Sequence, residues 1–325
     1  MARGKALWAF DDYREMLADT LRLDAYRRAL NATVQPGDVV LDLGAGTGIL
    51  GFLALRAGAG HVHAVEAGPA VDLLRAVAER NGLSDRVTVH ACSSLDADLP
   101  RCDLLVSETL GSWAVDENTL PYVIDARERL LKPGAPLIPD RLELFLAPAE
   151  SPEITARRVT FWDDVAGLDF SPAAEAASRR LAVETVRPDE LLAAPAHVAS
   201  LDLRTVTSPL VQVQHRFVHR RAGTLHGLVG WFQAGLADDI VIDTAPGQPS
   251  THWEQAWLPL ERRVEVGPCD ILDVRLALGP GERPDDTRLQ LDWFQSQIGL
   301  PLHQRLMLPC PCGRGLPFQH CCGKP

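Results

Sequence analysis

The spacing of apolar positions changes near residue 140 of this 325-residue chain. Residues 7–30 carry apolar side chains at helical spacing, which predicts one helix. Residues 39–139 then alternate short apolar runs with helix-like stretches, among them 70–81 and 122–131. This alternation predicts a mostly parallel sheet with helices on both faces. Pro139-Asp140-Arg141 marks the exit from this first domain, which we place at residues 1–140.

Beyond residue 141 the pattern becomes one of strand-like runs separated by turn residues. The runs are LELFLAPAE, HVASLDLRTV, LVQVQHRFVH, GLVGWFQAGL and ERRVEVG. They predict an antiparallel, barrel-like second domain over residues 141–305. An alanine-rich, helix-prone insert occupies residues 160–195, and its composition fits a solvated helical insert as well as a projecting arm.

Composition bounds the class of protein. A net charge of −11 argues against a nucleic-acid binder, which needs cationic side chains to neutralise phosphates. No apolar run reaches the roughly 18 residues that a membrane span needs, and no secretion signal is apparent. Cys92, Cys102 and Cys269 are scattered among apolar neighbours rather than arranged as a disulfide framework. We therefore expect a cytoplasmic protein that binds neither nucleic acid nor membrane.

A glycine loop follows the first apolar run of the sheet. Residues 39–43 end in Asp42-Leu43 and lead into Gly44-Ala45-Gly46-Thr47-Gly48 and a helix-like stretch at 49–57. Such a turn lets the backbone approach a bound cofactor, and Glu66, about twenty residues on, is placed to accept hydrogen bonds from ribose. The GxGxG spacing favours S-adenosylmethionine over NAD, while a dinucleotide site and a plain βα turn stay open as alternatives.

Two glutamates nine positions apart, Glu108 and Glu117, flank a Gly111-containing turn in SETLGSWAVDE. Paired carboxylates raise one another's pKa unless a cation lies between them, and a planar guanidinium fits such a pair. On their own the two residues also fit solvated loop positions. Taken with the glycine loop, they predict a clamp for a guanidinium.

Three segments resemble the family of protein arginine methyltransferases: LDLGAGTGILGFLALRAGAGHVHAVEAG, SETLGSWAVDENTLPYVIDARERLLKPGAPLIPDR and STHWEQAWLPL. The similarity runs from about residue 16 to residue 299. It implies an α/β fold in which a Rossmann-like methyltransferase domain precedes the antiparallel β-barrel-like domain. It also implies that the insert at 160–195 is a dimerisation arm, and therefore that the protein is a homodimer.

The resemblance implies roles for the matching residues. The expected cofactor-binding residues are Met16, Arg22, Asp42, Gly44, Gly46, Gly48, Glu66 and Ser94. Among them, Arg22 would pair with the methionine carboxylate of the cofactor and Glu66 would hold the ribose. Glu108 and Glu117 become the substrate clamp, and His252 of the Thr-His-Trp loop would pair with Asp19. The i, i+3, i+6 spacing of Met16, Asp19 and Arg22 places all three on one helix face.

Several positions depart from the family pattern. No N-terminal tyrosine motif is visible, and the family histidine three residues before Met16 is Tyr13. The aromatic residue after the first glutamate is Thr109, and the methionine after the second is Thr119. The acid that meets the adenine amine aligns with Leu95, so that Ser94 or Asp96 would have to replace it. These departures leave the cofactor site intact and put the substrate in question.

Four cysteines crowd into the C-terminal segment 306–325. Cys310, Cys312, Cys321 and Cys322 have a spacing that can close a tetrahedral zinc site, with His320 as an alternative or outer ligand. The segment resembles the small zinc motif at the C-terminus of the SecA translocation ATPase. Four protein ligands leave no open coordination position, which predicts structural zinc and a segment that docks to a protein partner.

These observations lead to one hypothesis and two alternatives. The hypothesis is methyl transfer from S-adenosylmethionine to the guanidino group of arginine in a protein or peptide. The alternatives are a small-molecule or peptide natural-product acceptor, and a non-catalytic adaptor that carries the zinc segment. The hypothesis requires Glu108 and Glu117 to face the nucleoside cavity without being paired to the chain's own basic groups.

Overall fold

The protein is described by a computed structural model over residues 4–178, 180–281, 287–297 and 299–323. Within those ranges, no helix is long and apolar enough to cross a membrane. The chain folds into a parallel α/β part, two antiparallel sheets and a C-terminal cysteine-rich segment.

Residues 4–140 contain the predicted parallel sheet. Its strands are β1 (Val39–Leu43), β2 (His61–Val65), β3 (Val87–His90), β4 (Leu104–Ser107) and β5 (Leu137–Ile138). Its helices are α1 (Gly4–Ala18), α2 (Thr20–Thr33), α3 (Ile49–Ala57), α4 (Val71–Arg80) and α5 (Thr119–Arg129). The strands lie in the order β3-β2-β1-β4-β5, and every pairing is parallel. The carboxyl ends of β1 and β4 are therefore neighbours, which places the glycine loop beside the glutamate loop.

The prediction of one helix over residues 7–30 was wrong. The helix is interrupted at Asp19. This residue caps the N-terminus of α2 by accepting a 2.9 Å hydrogen bond from the backbone N–H of Arg22. An aspartate side chain satisfies a backbone donor that the first turn of a helix leaves without a partner. Met16, Asp19 and Arg22 therefore lie on two helices joined by a cap rather than on one helix face.

The second half of the chain is antiparallel, as predicted, but it is divided into two sheets. The first contains β6 (Arg141–Ala149), β7 (Ala182–Glu184), β8 (Ala196–Asp202), β10 (Gly223–Ala237), β11 (Ile240–Asp243) and β12 (Gln255–Val266). The second contains β9 (Val211–Val218), β13 (Ile271–Pro280) and β14 (Thr287–Ser296). The sequence analysis did not predict β13 and β14. Both carry polar or charged residues at alternate positions, which lowers their mean hydropathy.

The insert predicted at 160–195 is only partly separate from the sheets. It follows α6 (Pro152–Arg158) and contains α7 (Ser171–Ser178), but β7 pairs with β12 and so belongs to the first antiparallel sheet. The side chain of Glu184 in β7 is 5% exposed and forms ion pairs with Arg157 and Arg158. These ion pairs hold α6 against the sheet, and residues 160–178 lie outside the sheet.

The C-terminal segment packs against its own chain. It follows α8 (Leu302–Met307), and the ring of Phe318 is fully buried with Cys310, Val218 and Cys269. The thiol of Cys269 donates to the Arg305 carbonyl at 3.2 Å. One face of the segment is thus occupied by the end of β9 and the turn before β13.

Asp42 joins the central strand to the helix behind the glycine loop. Its Oδ2 accepts a 2.8 Å hydrogen bond from the backbone N–H of Gly51 in α3, and the residue is 1% exposed. Burial raises the pKa of Asp42 from 3.8 to about 7, and the Gly51 N–H opposes that rise. As an anion, the Asp42 carboxylate therefore holds α3 in position but lowers the stability of the folded protein, because its charge is buried.

We expect Asp42→Asn to increase stability, because the amide oxygen can still accept from Gly51 while no charge is buried. The folded pKa lies above the unfolded value of about 3.9, so the native state holds an extra proton between these values and loses stability as pH rises toward 7. Urea unfolding should show a gain of about 2–4 kcal/mol at pH 8 that shrinks toward pH 4. Asp72→Asn, at a side chain 95% exposed, is the control. A less stable Asp42→Asn protein at pH 8 would contradict this reading.

Candidate functional site

A small cavity of about 40 Å³ lies between the first two helices, the glycine loop and the end of β4. Its walls consist of Tyr13, Met16, Leu17, Arg22, Gly44, Ala45, Gly46, Thr47, Ile49, Leu50 and Glu108. This volume is well below the roughly 300–1,000 Å³ of small-molecule sites, so the wall residues have to move apart to admit a nucleoside. The predicted residues Met16, Arg22, Gly44, Gly46 and Glu108 are thus brought together at one cavity.

The glycine loop needs its glycines for two separate reasons. Gly44, Gly46 and Gly48 all have positive φ, at 70°, 51° and 82°, which other residues adopt only with strain. A Cβ on Gly44 would also lie 2.5 Å from Cγ2 of Thr109, a position that real Cβ atoms do not occupy. The loop can therefore lie flat against the β4 end and expose its backbone to the cavity.

Glu66 supports the loop from the end of β2. One carboxylate oxygen accepts from the backbone N–H of Gly46 at 2.7 Å, and the other accepts from the N–H of Gly68. Glu66 is not among the described residues that line the cavity. Its ribose-binding role stays a prediction, and the structure shows a residue that fixes the turn.

Arg22 and Glu108 form a buried ion pair in the cavity wall, with side chains 3% and 5% exposed. The second terminal nitrogen of Arg22 donates to the Met16 carbonyl at 2.7 Å. Its Nε is buried and has no hydrogen-bond partner. Burial raises the pKa of Glu108, and the charges of Arg22 and His252 oppose that rise. The predicted requirement that Glu108 be unpaired is therefore not met, because the chain's own guanidinium holds it.

Asp19 connects the helix junction to the Thr-His-Trp loop. Its Oδ2 accepts from the backbone N–H of His252 at 3.0 Å and lies 3.0 Å from Nδ1 of the same residue. Burial alone would raise the pKa of Asp19, but hydrogen bonds from His252 and Arg22 lower it. Trp253 then donates its Nε1 hydrogen to the Leu110 carbonyl at 2.8 Å. One loop therefore holds both the helix junction and the glutamate loop.

The glutamate loop is braced from within. Thr119 Oγ1 lies 2.5 Å from the Thr109 carbonyl oxygen and 2.8 Å from that of Ala114. Asp116 accepts from the backbone N–H of Trp113 at 2.8 Å. Glu117 is exposed, and Glu108 is the one glutamate of the pair that lines the cavity among the described residues. The two-carboxylate clamp stays a prediction.

Some residues that line the cavity had no role predicted from the sequence, and two residues predicted to bind the cofactor are not in the described lining. Tyr13 and Leu17 of α1 cover the loop, and Cε1 of Tyr13 lies 3.4 Å from where a Cβ on Gly46 would be. The helical spacing of Tyr13, Met16 and Leu17 was the available signal. Ser94 is buried and its carbonyl accepts from Arg129 at 2.6 Å, and the cavity lining described includes neither Ser94 nor Asp42.

These residues fit a nucleoside cofactor that carries a carboxylate. The glycine loop offers exposed backbone, and the buried guanidinium of Arg22 still has one unsatisfied donor. A buried donor without a partner costs about 1–3 kcal/mol, so an anionic ligand is favoured beside it.

The predicted sulfur ligands also come together. The thiol sulfurs of Cys310, Cys312, Cys321 and Cys322 all lie within 4.8 Å of one another. Tetrahedral zinc with bonds of about 2.3 Å separates its sulfurs by about 3.8 Å, which this cluster accommodates. The cluster, as described, does not include His320.

Curated relatives share most of the chain. Protein arginine N-methyltransferase 6 of Xenopus tropicalis is 35% identical over 298 residues, which cover 86% of this chain and 87% of the relative. Protein arginine N-methyltransferase 1 of Saccharomyces cerevisiae is 29% identical over 314 residues, covering 91% of this chain and 90% of the relative.

Solved structures of protein arginine methyltransferases have a similar fold. The chain matches the Trypanosoma brucei PRMT1 enzyme–prozyme heterotetrameric complex with AdoHcy at a TM-score of 0.77 and 26% identity, covering 88% of this chain and 93% of that one. It matches Arabidopsis thaliana protein arginine methyltransferase 10 at a TM-score of 0.75 and 26% identity, covering 89% and 94%.

Family models match three separate parts of the chain. Residues 26–117 match ribosomal protein L11 methyltransferase, residues 140–297 match the arginine methyltransferase oligomerization subdomain, and residues 308–324 match the SEC-C motif. With the fold, the cavity and the relatives in agreement, this chain belongs to the protein arginine methyltransferase family.

Proposed function

We propose that this chain transfers a methyl group from S-adenosylmethionine to a guanidino nitrogen of arginine in a protein or peptide. The observation that carries the proposal is the position of Glu108, a carboxylate with a buried side chain in the wall of the glycine-loop cavity. Its ion pair with Arg22 joins one carboxylate oxygen, Oε2, so the requirement that Glu108 be unpaired was too strict. The relatives bear the name of this activity, and one solved neighbour is a complex with AdoHcy.

The chain's own residues would hold the cofactor and the substrate at adjoining positions. Gly44 and Gly46 would face the nucleoside with their backbone, and Arg22 would face its carboxylate. When bound, S-adenosylmethionine supplies an electrophilic methyl group on a sulfonium. Positioning a nucleophile against such a group supplies much of the rate in this class of reaction.

Two carboxylates would make the protonated arginine side chain a better nucleophile. Arginine keeps its proton in proteins because its pKa exceeds about 12, so a neutral guanidine is not available in advance. Glu108 and Glu117 would draw positive charge toward the nitrogens they hold and leave electron density on the third. His252, hydrogen-bonded to Asp19 at 3.0 Å, would hold the pocket in shape and accept the proton after transfer.

Removing either carboxylate charge should abolish turnover. We expect Glu117→Gln to lower kcat/KM by at least about 100-fold, the scale of a lost electrostatic contact in a transition state, with S-adenosylhomocysteine affinity unchanged. Glu79→Gln, at an exposed position of α4, is the control. Methylarginine is read by mass spectrometry with a small peptide as acceptor. Full turnover by Glu117→Gln would remove Glu117 from the clamp.

We also infer a homodimer formed through residues 160–178. Three large apolar side chains of this segment are exposed: Phe161 at 54%, Leu168 at 62% and Phe170 at 39%. Exposed apolar groups close together mark contact surfaces more often than single ones do. The matching model for residues 140–297 describes an oligomerization subdomain.

Making this segment polar should separate the subunits. The double variant Phe161→Ser/Leu168→Ser should sediment as a monomer of half the wild-type mass. Phe294→Ser is the control, since Phe294 is 64% exposed but lies on β14. A wild-type protein that sediments at 35.4 kDa would refute the dimer.

We infer that Cys310, Cys312, Cys321 and Cys322 bind one structural zinc ion and that the bound segment presents its outer face to a protein partner. Four thiols within 4.8 Å support the metal, and Met307 and Leu316 supply exposed apolar surface at 61% and 50%. All seven cysteines are free thiols, which suits a reducing cytoplasm.

Elemental analysis should find one zinc per chain. Cys312→Ser should lose it and expose residues 306–323 to protease, because the metal supplies the folding energy of so short a segment. Cys92→Ser, at a cysteine outside the cluster, should keep zinc. Wild-type protein with no zinc and a protease-resistant tail would contradict the site.

A further inference from the structure

The two glutamates of the proposed clamp are positioned by different means. Glu108 directly follows Ser107, the last residue of β4, so a buried strand fixes its backbone. Glu117 is exposed and lies in the loop between β4 and α5, nine positions further along the chain. A strand does not orient a side chain at that distance. The geometry of the clamp therefore depends on the contacts that hold the loop.

The loop is strained on both sides of Glu117. Ala114 and Asn118 have positive φ angles, 60° and 58°, although neither residue is glycine. Residues other than glycine keep such angles only where the surrounding contacts enforce them, and these positions are concentrated at functional sites. Contacts before and after Glu117 must therefore enforce this backbone.

Asp116 supplies contacts on the N-terminal side of Glu117. Its Oδ1 accepts a 2.8 Å hydrogen bond from the backbone N–H of Trp113, and its Oδ2 accepts a 3.2 Å hydrogen bond from Oγ of Ser112. A Cβ on Gly111 would lie 2.5 Å from this carboxylate, so the glycine leaves room for it. The carboxylate of Asp116 therefore closes the turn from the inside.

The backbone of Asp116 is joined to the second antiparallel sheet. Its carbonyl accepts a 2.6 Å hydrogen bond from Oγ1 of Thr287, the first residue of β14. On the other side of Glu117, Oγ1 of Thr119 lies 2.8 Å from the carbonyl oxygen of Ala114. The residues that flank Glu117 are thus fixed both within the loop and to a sheet strand.

The charge of Asp116 fits a role in function. Burial of the carboxyl group raises the pKa of Asp116, and hydrogen bonds from Trp113 and Ser112 oppose that rise. Burying a charge lowers stability, and carboxyl groups with perturbed pKa values are concentrated at functional sites.

We propose that Asp116 is the positioning residue of the guanidinium clamp: it closes the turn and joins it to β14, so that Glu117 faces the substrate in a single orientation. The inference rests on the proposed function and names the residue through which Glu117 becomes effective. Displacing a contact by about 1 Å can lower a rate by about 100-fold, so a residue that does not touch the substrate can control the reaction.

Calorimetry with a double-mutant cycle tests this role without turnover. The probe is a glycine-flanked arginine peptide, titrated into the full chain that has been saturated with S-adenosylhomocysteine. We expect Glu117→Gln and Asp116→Ala each to weaken peptide binding roughly 10- to 150-fold, the scale of a lost hydrogen bond to a charged group. Because Asp116 acts through Glu117, the double variant should bind the peptide no more weakly than Glu117→Gln alone.

Further variants separate positioning from folding. Asp116→Asn keeps an acceptor for the backbone N–H of Trp113 and should restore most of the affinity that Asp116→Ala loses. Thr287→Val removes only the link to β14 and should weaken peptide binding in the same non-additive way. Asp85→Ala, at an exposed position before β3, is the control. Each variant should bind S-adenosylhomocysteine as the wild type does, which shows that it has folded.

The proposal is overturned if the losses from Asp116→Ala and Glu117→Gln add up in the double variant, or if Asp116→Ala binds the peptide as tightly as the wild type. Should Asp116→Ala not fold, Thr287→Val takes its place in the same cycle. Failure of the proposed function looks different, because the wild-type protein would then bind S-adenosylhomocysteine but bind the arginine peptide no better than its lysine counterpart. That result refutes the arginine acceptor and this inference with it.

Discussion

The site depends on the buried ion pair between Arg22 and Glu108. It connects the helix after the N-terminal cap to the loop after β4, and it lies in the wall of the glycine-loop cavity. Neither charge is tolerable in that position alone. These two side chains are held in contact by the helix cap at Asp19, the Thr-His-Trp loop and the hydrogen bonds of Thr119.

Features set by neighbouring residues were predictable from the sequence. The apolar run of β1 and the helix α3 have the predicted bounds, because local periodicity and a glycine turn define them. The family, the parallel sheet and the antiparallel second half followed from the same kind of signal. The four cysteines also meet, since close spacing alone limits how far apart they can lie.

Features set by distant contacts could not be predicted from local periodicity, although the family resemblance did imply the pair of Asp19 and His252. The break at Asp19 is stabilised by His252, which is 233 residues further along the chain, and Arg22 meets Glu108 across 86 residues. A helical pattern gives no warning of either. The strands β13 and β14 were missed although their alternating apolar and polar residues are typical of half-buried strands. The strand β7 was assigned to the arm although it belongs to a sheet.

The central claim is that Glu108 binds the guanidinium of the substrate arginine beside the cofactor. The most direct measurement is a crystal structure of the protein with S-adenosylhomocysteine and an arginine peptide. The account predicts the peptide guanidinium on Glu108, with the nucleoside against the glycine loop. A structure in which the peptide guanidinium lies away from Glu108 would contradict it.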